Sequence, residues 1–181
     1  LLQAVGLAVQ WANPVLMTAR RAGNEFLDSV RIGRGGVMQM VNDYEHATGC
    51  RPKYVLSGYS QGAMILLEHE RELARRGQLA GVVYFGNPNT AAGDWSTVGV
   101  AGGGAGGMLG MLPFNTKTAA ATPNRVNYCL PLDAVCDLSI PTLQASRPTG
   151  GNHGRYYLWS SRWDNQVSDS FGRFVDQVRY R

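Results

Sequence analysis

The pentapeptide Gly58-Tyr59-Ser60-Gln61-Gly62 constrains the fold more than any other feature of this 181-residue sequence. It follows Tyr54-Val55-Leu56, a short apolar run that predicts a buried strand, and it opens a helical pattern over residues 61–76. A strand, a tight turn and a helix in this order form an elbow that projects the residue at its apex, here Ser60. We expect the two glycines of the pentapeptide to leave room for the turn to close.

The rest of the sequence alternates in the same way. Val82-Val83-Tyr84-Phe85 and the run 125–128 predict two more short strands, residues 133–154 predict a loop, and apolar spacing predicts a terminal helix within 156–180. Buried short strands that alternate with helices are typical of an α/β fold with a central, mostly parallel sheet flanked by helices. The length fits one domain, which we assign to residues 1–181.

The first fifty residues predict two helices. Leu1 to Trp11 is apolar with helical spacing, and Asn13-Pro14 is expected to break it. A second helix is predicted from Asp28-Ser29, a favourable N-cap, to the neighbourhood of Thr48-Gly49. The chain begins with Leu1 rather than Met, so we expect it to have been processed or trimmed.

Residues 97–113 form a Gly-rich segment that predicts a mobile loop. Its apolar residues Met108, Leu109, Met111 and Leu112 make it a candidate acyl-contact or lid segment. A disordered insertion is the competing interpretation.

A serine at the apex of such an elbow is a candidate nucleophile, and it needs a base, most often a histidine. His69 follows Ser60 by nine residues on the same predicted helix, roughly 13 Å away at about 1.5 Å per residue. His46 precedes the strand and is expected at its opposite end. His153 remains, in a loop whose flanking glycines suit entry into a site. The N–H of Gln61 is the predicted oxyanion donor, because it follows the nucleophile.

A carboxylate should orient the histidine, and in this fold class it lies between the serine and the histidine in sequence. Asp94, Asp133 and Asp137 are the candidates. We favour Asp133, which follows the third predicted strand, and keep Asp137 as the second choice.

Cys129 and Cys136 enclose Asp133, whereas Cys50 stands alone. The pair could form a disulfide or half of a metal site, but no further Cys or His lies at ligand spacing, so we favour the disulfide and expect no metal. A disulfide would hold the loop that carries the carboxylate. It would also imply an oxidising environment outside the plasma membrane.

Composition excludes some classes of protein. The formal net charge of +4 is mild, and the basic residues are dispersed without interleaved aromatics, so we do not expect nucleic-acid binding. The longest uncharged run is rich in Gly, Ser and Thr, so no transmembrane segment is predicted. No signal peptide pattern is visible.

Two motifs together resemble the cutinase family of serine esterases: the stretch from Gly58 to Ala63, and Cys129-Leu130-Pro131-Leu132-Asp133-Ala134-Val135-Cys136. The resemblance implies an α/β-hydrolase with Ser60, Asp133 and His153 as its catalytic triad and no cofactor. Cutinases also begin with a strand whose following loop supplies a second oxyanion donor. We do not find that strand, so the domain is expected to lack it and the second donor is unassigned. The cysteine that pairs with the family's equivalent of Cys50 is not found either.

Gly86-Asn87-Pro88 followed by a long Gly-rich excursion is similar to actinobacteriophage lysin B enzymes, the mycolyl-arabinogalactan esterases of the same superfamily. The sequence therefore predicts a monomeric esterase that cleaves lipid or mycolate esters of the mycobacterial or actinobacterial envelope. One alternative is a secreted cutinase-like esterase or lipase that acts on short-chain or polyester substrates. Another is a hydrolase-fold module without catalytic activity.

Overall fold

The computed structural model describes residues 2–100, 104–111, 122–146 and 151–179, with the backbone alone for 2–20 and 22. Four helices lie in the described ranges: α1 (Leu2–Thr48), α2 (Gln61–Arg75), α3 (Ile140–Ala145) and α4 (Asp164–Arg179). The strands are β1 (Tyr54–Tyr59), β2 (Leu79–Phe85), β3 (Thr97–Gly99) and β4 (Arg125–Cys129). Residues 101–103, 112–113 and 149–150, which belong to the predicted glycine-rich and histidine loops, are outside the described residues, as is Leu112 of the candidate lid.

The four strands form one parallel sheet in the order β1-β2-β4-β3. The predicted α/β fold with a parallel sheet is therefore confirmed. Because all strands run the same way, Ser60 after β1, Gly86 after β2 and the loop after β4 share the carboxyl edge of the sheet, where α/β proteins place their sites.

Apolar side chains cover both faces of the sheet. One cluster joins the α1 and α2 side to β1 and β2, and the other joins α4 to β2 and β4. The helices approach closely at two glycines: a Cβ on Gly33 would lie 2.5 Å from Cδ1 of Ile65, and one on Gly81 would lie 2.3 Å from the Phe174 ring. The core thus forms two layers of side chains with the sheet between them.

Four expectations about secondary structure are wrong. The helix α1 continues through Asn13-Pro14 and has no new start at Asp28-Ser29. A proline removes one backbone donor, and the other backbone hydrogen bonds of this 47-residue helix remain on both sides of it. Loop was predicted where α3 and β3 form, and both elements are too short for a periodic pattern to show.

The Gly-rich segment is attached to its neighbours where it is described. Gly99 ends β3 with a φ of 110°, and a Cβ there would lie 2.1 Å from the Cys129 carbonyl oxygen. Beyond it, the N–H groups of Met108 and Leu109 donate to the carbonyls of Val135 and Pro88, at 3.1 and 2.7 Å. The described part is therefore packed against the loop after β4 rather than free of it.

A buried charge cluster joins α2 to β4. Arg125 Nε lies 3.1 Å from Oε1 of Glu70, and its Nη1 lies 2.5 Å from Oδ2 of Asp94. The Tyr84 hydroxyl donates to Oε2 of Glu70 at 2.7 Å. Buried charges are tolerated when they are paired in this way.

No helix in the described part of the chain is long and apolar enough to cross a membrane.

Candidate active site

Ser60 occupies the apex of a strained turn between β1 and α2. Its φ of 52° and ψ of −114° are unusual for a residue with a side chain. Its N–H donates to the Phe85 carbonyl on the neighbouring strand at 2.9 Å, and its carbonyl accepts from Ala63 N–H at 3.1 Å. Such conformations persist only where the surroundings impose them, and they concentrate at functional sites.

The two glycines of the pentapeptide differ in the space around them. A Cβ on Gly58 would lie 2.8 Å from Ala63 N and 2.9 Å from Gly62 C, so only glycine fits there. A Cβ on Gly62 would meet nothing within 4 Å. The expectation that both glycines make room for the turn therefore holds for Gly58 and is wrong for Gly62, because the first turn of α2 carries position 62 into open space.

The structure brings Ser60, His153 and Asp133 together. His153 Nε2 lies 2.9 Å from Ser60 Oγ, and Nδ1 lies 3.1 and 3.0 Å from the two carboxylate oxygens of Asp133. A proton can pass from the hydroxyl to the imidazole over the first distance, and the carboxylate can orient the ring over the second.

Asp133 is fully buried, and each of its oxygens has a donor besides the histidine. Val135 N–H donates to Oδ1 at 2.9 Å, and the Tyr156 hydroxyl donates to Oδ2 at 2.5 Å. Burial and the nearby Asp133 charge raise the pKa of Tyr156 well above its ordinary value. Tyr156 therefore stays protonated and remains a donor across the working pH range.

Two loops hold the carboxylate and the imidazole as one unit. Asp133 and Gly151 form an antiparallel bridge, and Asn152 donates from its backbone N–H to the Leu132 carbonyl at 3.0 Å. The Asn152 side chain donates to the Pro131 carbonyl at 2.7 Å. The predicted disulfide between the cysteines at 129 and 136 is confirmed and closes the loop around Asp133.

Two residues that sequence reasoning missed fix the imidazole. The Tyr59 ring stacks on the His153 ring with centroids 5.0 Å apart, and its hydroxyl donates to the His153 carbonyl at 2.9 Å. On another side, a Cβ on Gly86 would lie 2.7 Å from Cε1 of His153. Tyr59 precedes Ser60 in the motif and Gly86 follows β2, but both residues contact His153, which belongs to a loop distant in sequence. Tyr156, which donates to Asp133, is a further residue that the sequence did not indicate.

The other candidate side chains have different partners. Asp137 accepts from Ala105 N–H at 2.9 Å and from the hydroxyls of Ser139 and Thr142 at 2.7 Å each. Burial by itself raises the pKa of Asp137, but these hydrogen bonds outweigh it and hold the pKa below its ordinary value. Asp94 pairs with Arg125 in the buried cluster. Neither carboxylate contacts His153.

The remaining histidines lie away from the elbow hydroxyl. His69 is buried on α2, and His46 is exposed near the end of α1. Among the residues that the structure describes, no group of three or more His, Cys, Asp or Glu side chains could hold a metal ion.

Gln61 begins α2, so its N–H is one of the four at the helix start without an intrahelical acceptor. Its side chain donates to the Phe26 carbonyl at 3.0 Å, which fixes the residue against α1. A free N–H directly after Ser60, at the positive end of a helix, suits an oxyanion.

An aromatic cleft of about 380 Å³ opens beside the imidazole. Its lining is mostly apolar and comprises Tyr59, Phe85, His153, Gly154, Tyr156, Tyr157 and Leu158. A cleft of this size and character suits an apolar group placed next to the reacting atoms.

A family model of cutinases matches residues 1–157. The chain belongs to the cutinase family. This cutinase-family protein is a carboxylic ester hydrolase, and the resemblance seen in its motifs is thereby confirmed.

Solved structures with the same fold include acetylxylan esterases. One shares 20% identity with this cutinase-family chain at a TM-score of 0.56, over 84% of this chain and 72% of the other. The catalytic core domain of acetylxylan esterase from Trichoderma reesei shares 18% identity at a TM-score of 0.53, over the same shares of 84% and 72%. At these identities the likeness shows the fold alone. Among curated proteins, no relative matches the sequence.

Proposed function

We propose that this cutinase-family esterase works as a serine esterase in which Ser60 is the nucleophile, His153 the general base and Asp133 the orienting acid. The observation that carries the proposal is the unbroken series of contacts from Ser60 Oγ to His153 Nε2 at 2.9 Å and from Nδ1 to Asp133 Oδ2 at 3.0 Å. Asp133 is the only one of the three acids that we considered to contact His153 in the described structure.

In the acylation step, Ser60 Oγ attacks the ester carbonyl carbon while His153 Nε2 takes the hydroxyl proton. The carbonyl oxygen becomes an oxyanion, which the Gln61 N–H stabilises. When the tetrahedral intermediate collapses, the bond to the alcohol oxygen breaks and His153 returns its proton to that oxygen. The acyl group remains on Ser60.

In the deacylation step, a water molecule gives a proton to His153 and attacks the acyl carbon. The second intermediate expels Ser60 Oγ, which recovers the proton from His153. The products are a carboxylic acid and an alcohol, and the protein needs no cofactor for either step.

For the substrate, we propose a lipid ester, and specifically the mycolyl-arabinogalactan of mycobacterial or actinobacterial envelopes. Two features support this: the mostly aromatic cleft beside His153, and the Gly86-Asn87-Pro88 turn with its Gly-rich excursion, which is similar to lysin B enzymes. Met108 and Met111 of that excursion are exposed by 60% and 94%, so they are available for contact with an acyl chain.

The second candidate is a cutinase-like esterase for short-chain or polyester substrates. Its support is the family match over residues 1–157 and the acid loop with its disulfide. We further propose that the protein is a monomer and acts outside the plasma membrane, where an oxidising environment preserves such a disulfide.

Hydrolysis of p-nitrophenyl esters by the wild type and by Ser60→Ala tests the catalytic assignment. We expect Ser60→Ala to lose about 10⁴-fold or more of kcat/KM, because removing the nucleophile leaves only binding and oxyanion stabilisation. Equal turnover by both proteins would exclude the serine mechanism. Absence of turnover by the wild type on every ester would favour the non-catalytic module.

A comparison of acyl chain lengths, followed by isolated mycolyl-arabinogalactan, separates the two substrate proposals. Release of free mycolic acid by the wild type and not by Ser60→Ala supports the envelope substrate. Activity confined to short-chain or polyester substrates supports the cutinase-like alternative.

A further inference from the structure

A second cleft, of about 420 Å³, lies behind the loop that carries His153 and shares no lining residue with the aromatic cleft. It runs between the start of the acid loop and the segment before α4. Its distinctive residues are Asn152, Arg155, Trp159, Ser160, Arg162 and Trp163, and we call it the arginine–tryptophan cleft. None of the proposed catalytic residues lines it, and the described hydrolytic chemistry does not use it.

Each arginine of this cleft lies over an indole ring. Arg155 Cζ is 3.8 Å from the centre of the Trp159 ring, and Arg162 Cζ is 4.4 Å from the centre of the Trp163 ring. These cation–π contacts fix the planes of the guanidinium groups and leave the N–H groups at their edges available. The cleft thus presents two oriented sets of hydrogen-bond donors.

In the part of the chain that the structure describes, both charges lack an acidic partner. Within the described residues, no carboxylate forms an ion pair with Arg155 or Arg162. One N–H group of Arg155 donates to Asn152 Oδ1 at 2.9 Å. The carboxylate of Asp164, close by in sequence, accepts from Ser161 N–H at 2.8 Å and from the Tyr128 hydroxyl at 2.7 Å. Two unneutralised guanidinium groups in one concavity attract anions, and their geometry matches carboxylate, sulfate and phosphate.

The rest of the lining indicates the group to which the anion is attached. Trp159 is exposed by 62%, so part of its ring surface is free for stacking. Ser160 and Asn152 add polar side chains at the rim. The part of the indole that Arg155 leaves uncovered, beside hydroxyl and amide groups, suits a sugar ring, which has an apolar face and an equatorial set of hydroxyls. The lining forms a concave surface, which matches a single sugar ring with its acid group better than the flat array of headgroups of a bilayer.

We infer that the arginine–tryptophan cleft binds an acidic saccharide, in which the ring stacks on Trp159 and the acid group binds Arg155 and Arg162. This inference does not depend on the proposed catalytic function. The cleft would bind the protein to an acidic glycan, next to the proposed catalytic site.

Binding of defined oligosaccharides by isothermal titration calorimetry tests the inference. The probes are a hexamer of galacturonic acid, a heparin-derived hexasaccharide and neutral xylohexaose. We expect at least about tenfold tighter binding of an acidic hexamer than of the neutral one, with an affinity that falls as salt rises. Equal affinity for acidic and neutral hexamers would overturn the inference.

Variants of the cleft locate the binding. Arg155→Gln with Arg162→Gln should weaken binding of the acidic hexamer by at least about tenfold, since each lost charged hydrogen bond contributes to affinity. Arg31→Gln with Arg71→Gln changes the net charge equally on exposed helical positions and should bind like the wild type. Thermal unfolding checks that all variants fold. If a variant fails to fold, Trp159→Leu tests the stacking contact instead, with the same expected loss.

Vesicles of phosphatidylglycerol form the last arm. Binding to these vesicles without binding to any acidic hexamer would overturn the inference and assign the cleft to lipid headgroups. Unchanged binding of the acidic hexamer by the double arginine variant would also overturn it, because the charge would then act from elsewhere on the surface.

Discussion

The hydroxyl of Tyr156 donates a hydrogen bond of 2.5 Å to the buried carboxylate of Asp133, on the oxygen that also faces His153 Nδ1. The same hydroxyl accepts from Leu130 N–H at 3.2 Å, so its direction is fixed by the chain that enters the acid loop. Tyr156 is therefore a positioning residue for the proposed triad, three positions after the histidine in sequence.

Tyr156→Phe should lower kcat about tenfold and leave KM nearly unchanged, because a hydrogen bond to a charged group contributes about 1.5–3 kcal/mol and orients the acid rather than the substrate. Tyr128→Phe is the matched control, since it removes a hydroxyl that donates to a different carboxylate, Asp164, at 2.7 Å. Steady-state kinetics on a soluble ester distinguish them. A fall in kcat of the same size in both variants would contradict a specific role for Tyr156.

The two elbow glycines should respond differently to alanine. Gly58→Ala places a methyl group against the backbone of α2, at 2.8 Å from Ala63 N. We expect a loss of activity of about 100-fold or more, because a displaced nucleophile misses the carbonyl carbon. Gly62→Ala should keep most of the activity, since its Cβ meets nothing within 4 Å. Measured activities of similar size for the two variants would contradict this reading of the turn.

Removal of the acid-loop disulfide should affect stability and rate together. Cys129→Ala with Cys136→Ala opens a loop with a sequence separation of 7, and chain entropy predicts a loss of about 2.5 kcal/mol in the free energy of unfolding. We also expect a lower kcat, because Asp133 lies within that loop. Cys50→Ala, at an exposed free cysteine, is the control and should change neither quantity. Denaturant unfolding and ester kinetics provide the measurements; an unchanged free energy of unfolding would be inconsistent with the prediction.

The buried His69 should make the fold sensitive to mild acid. Burial lowers the pKa of His69, and its Nε2 has no hydrogen-bond partner in the described structure. The unfolded chain therefore takes up a proton at a higher pH than the folded one. The stabilising effect of neutral His69 is complete above its unfolded pKa, about 6.5, and declines as the pH falls toward its lower folded value.

His69→Leu should accordingly flatten the dependence of Tm on pH between about 7 and 5. His46→Leu removes an exposed histidine from α1 and should leave the slope as in the wild type. Differential scanning calorimetry at several pH values gives both slopes. A His69→Leu slope equal to that of the wild type would assign the acid sensitivity to other groups.

The sequence predicted the features that are local in the chain. The elbow at Ser60 combines a buried strand, a glycine and a helix start within a few residues, and the acid loop has its cysteines on both sides of Asp133. His153 followed by elimination, since helical geometry separates His69 from the hydroxyl. The parallel sheet was predictable because short apolar strands alternate with helices along the chain, and the elbow after the first strand predicted a site at the carboxyl edge.

Features that depend on contacts between distant segments were not predictable. β3 ends where Gly99 approaches the Cys129 carbonyl too closely for a side chain, and no pattern in a three-residue strand shows that. Tyr156 looks like any aromatic residue until the fold places its hydroxyl at Asp133. The continuation of α1 through Pro14 depends on the balance between one lost hydrogen bond and a long helix, which a local rule about proline does not weigh.

The order β1-β2-β4 has a mechanical consequence for the whole protein. Ser60 follows β1 and Asp133 follows β4. β2 lies between these strands, and Gly86 at its end contacts the imidazole of His153. A slip of one strand along its neighbour would move the hydroxyl and the carboxylate apart by a full residue, about 3.3 Å, which exceeds the tolerance of a hydrogen bond. On the proposed mechanism, a measurement of turnover would therefore report whether these strands keep their alignment.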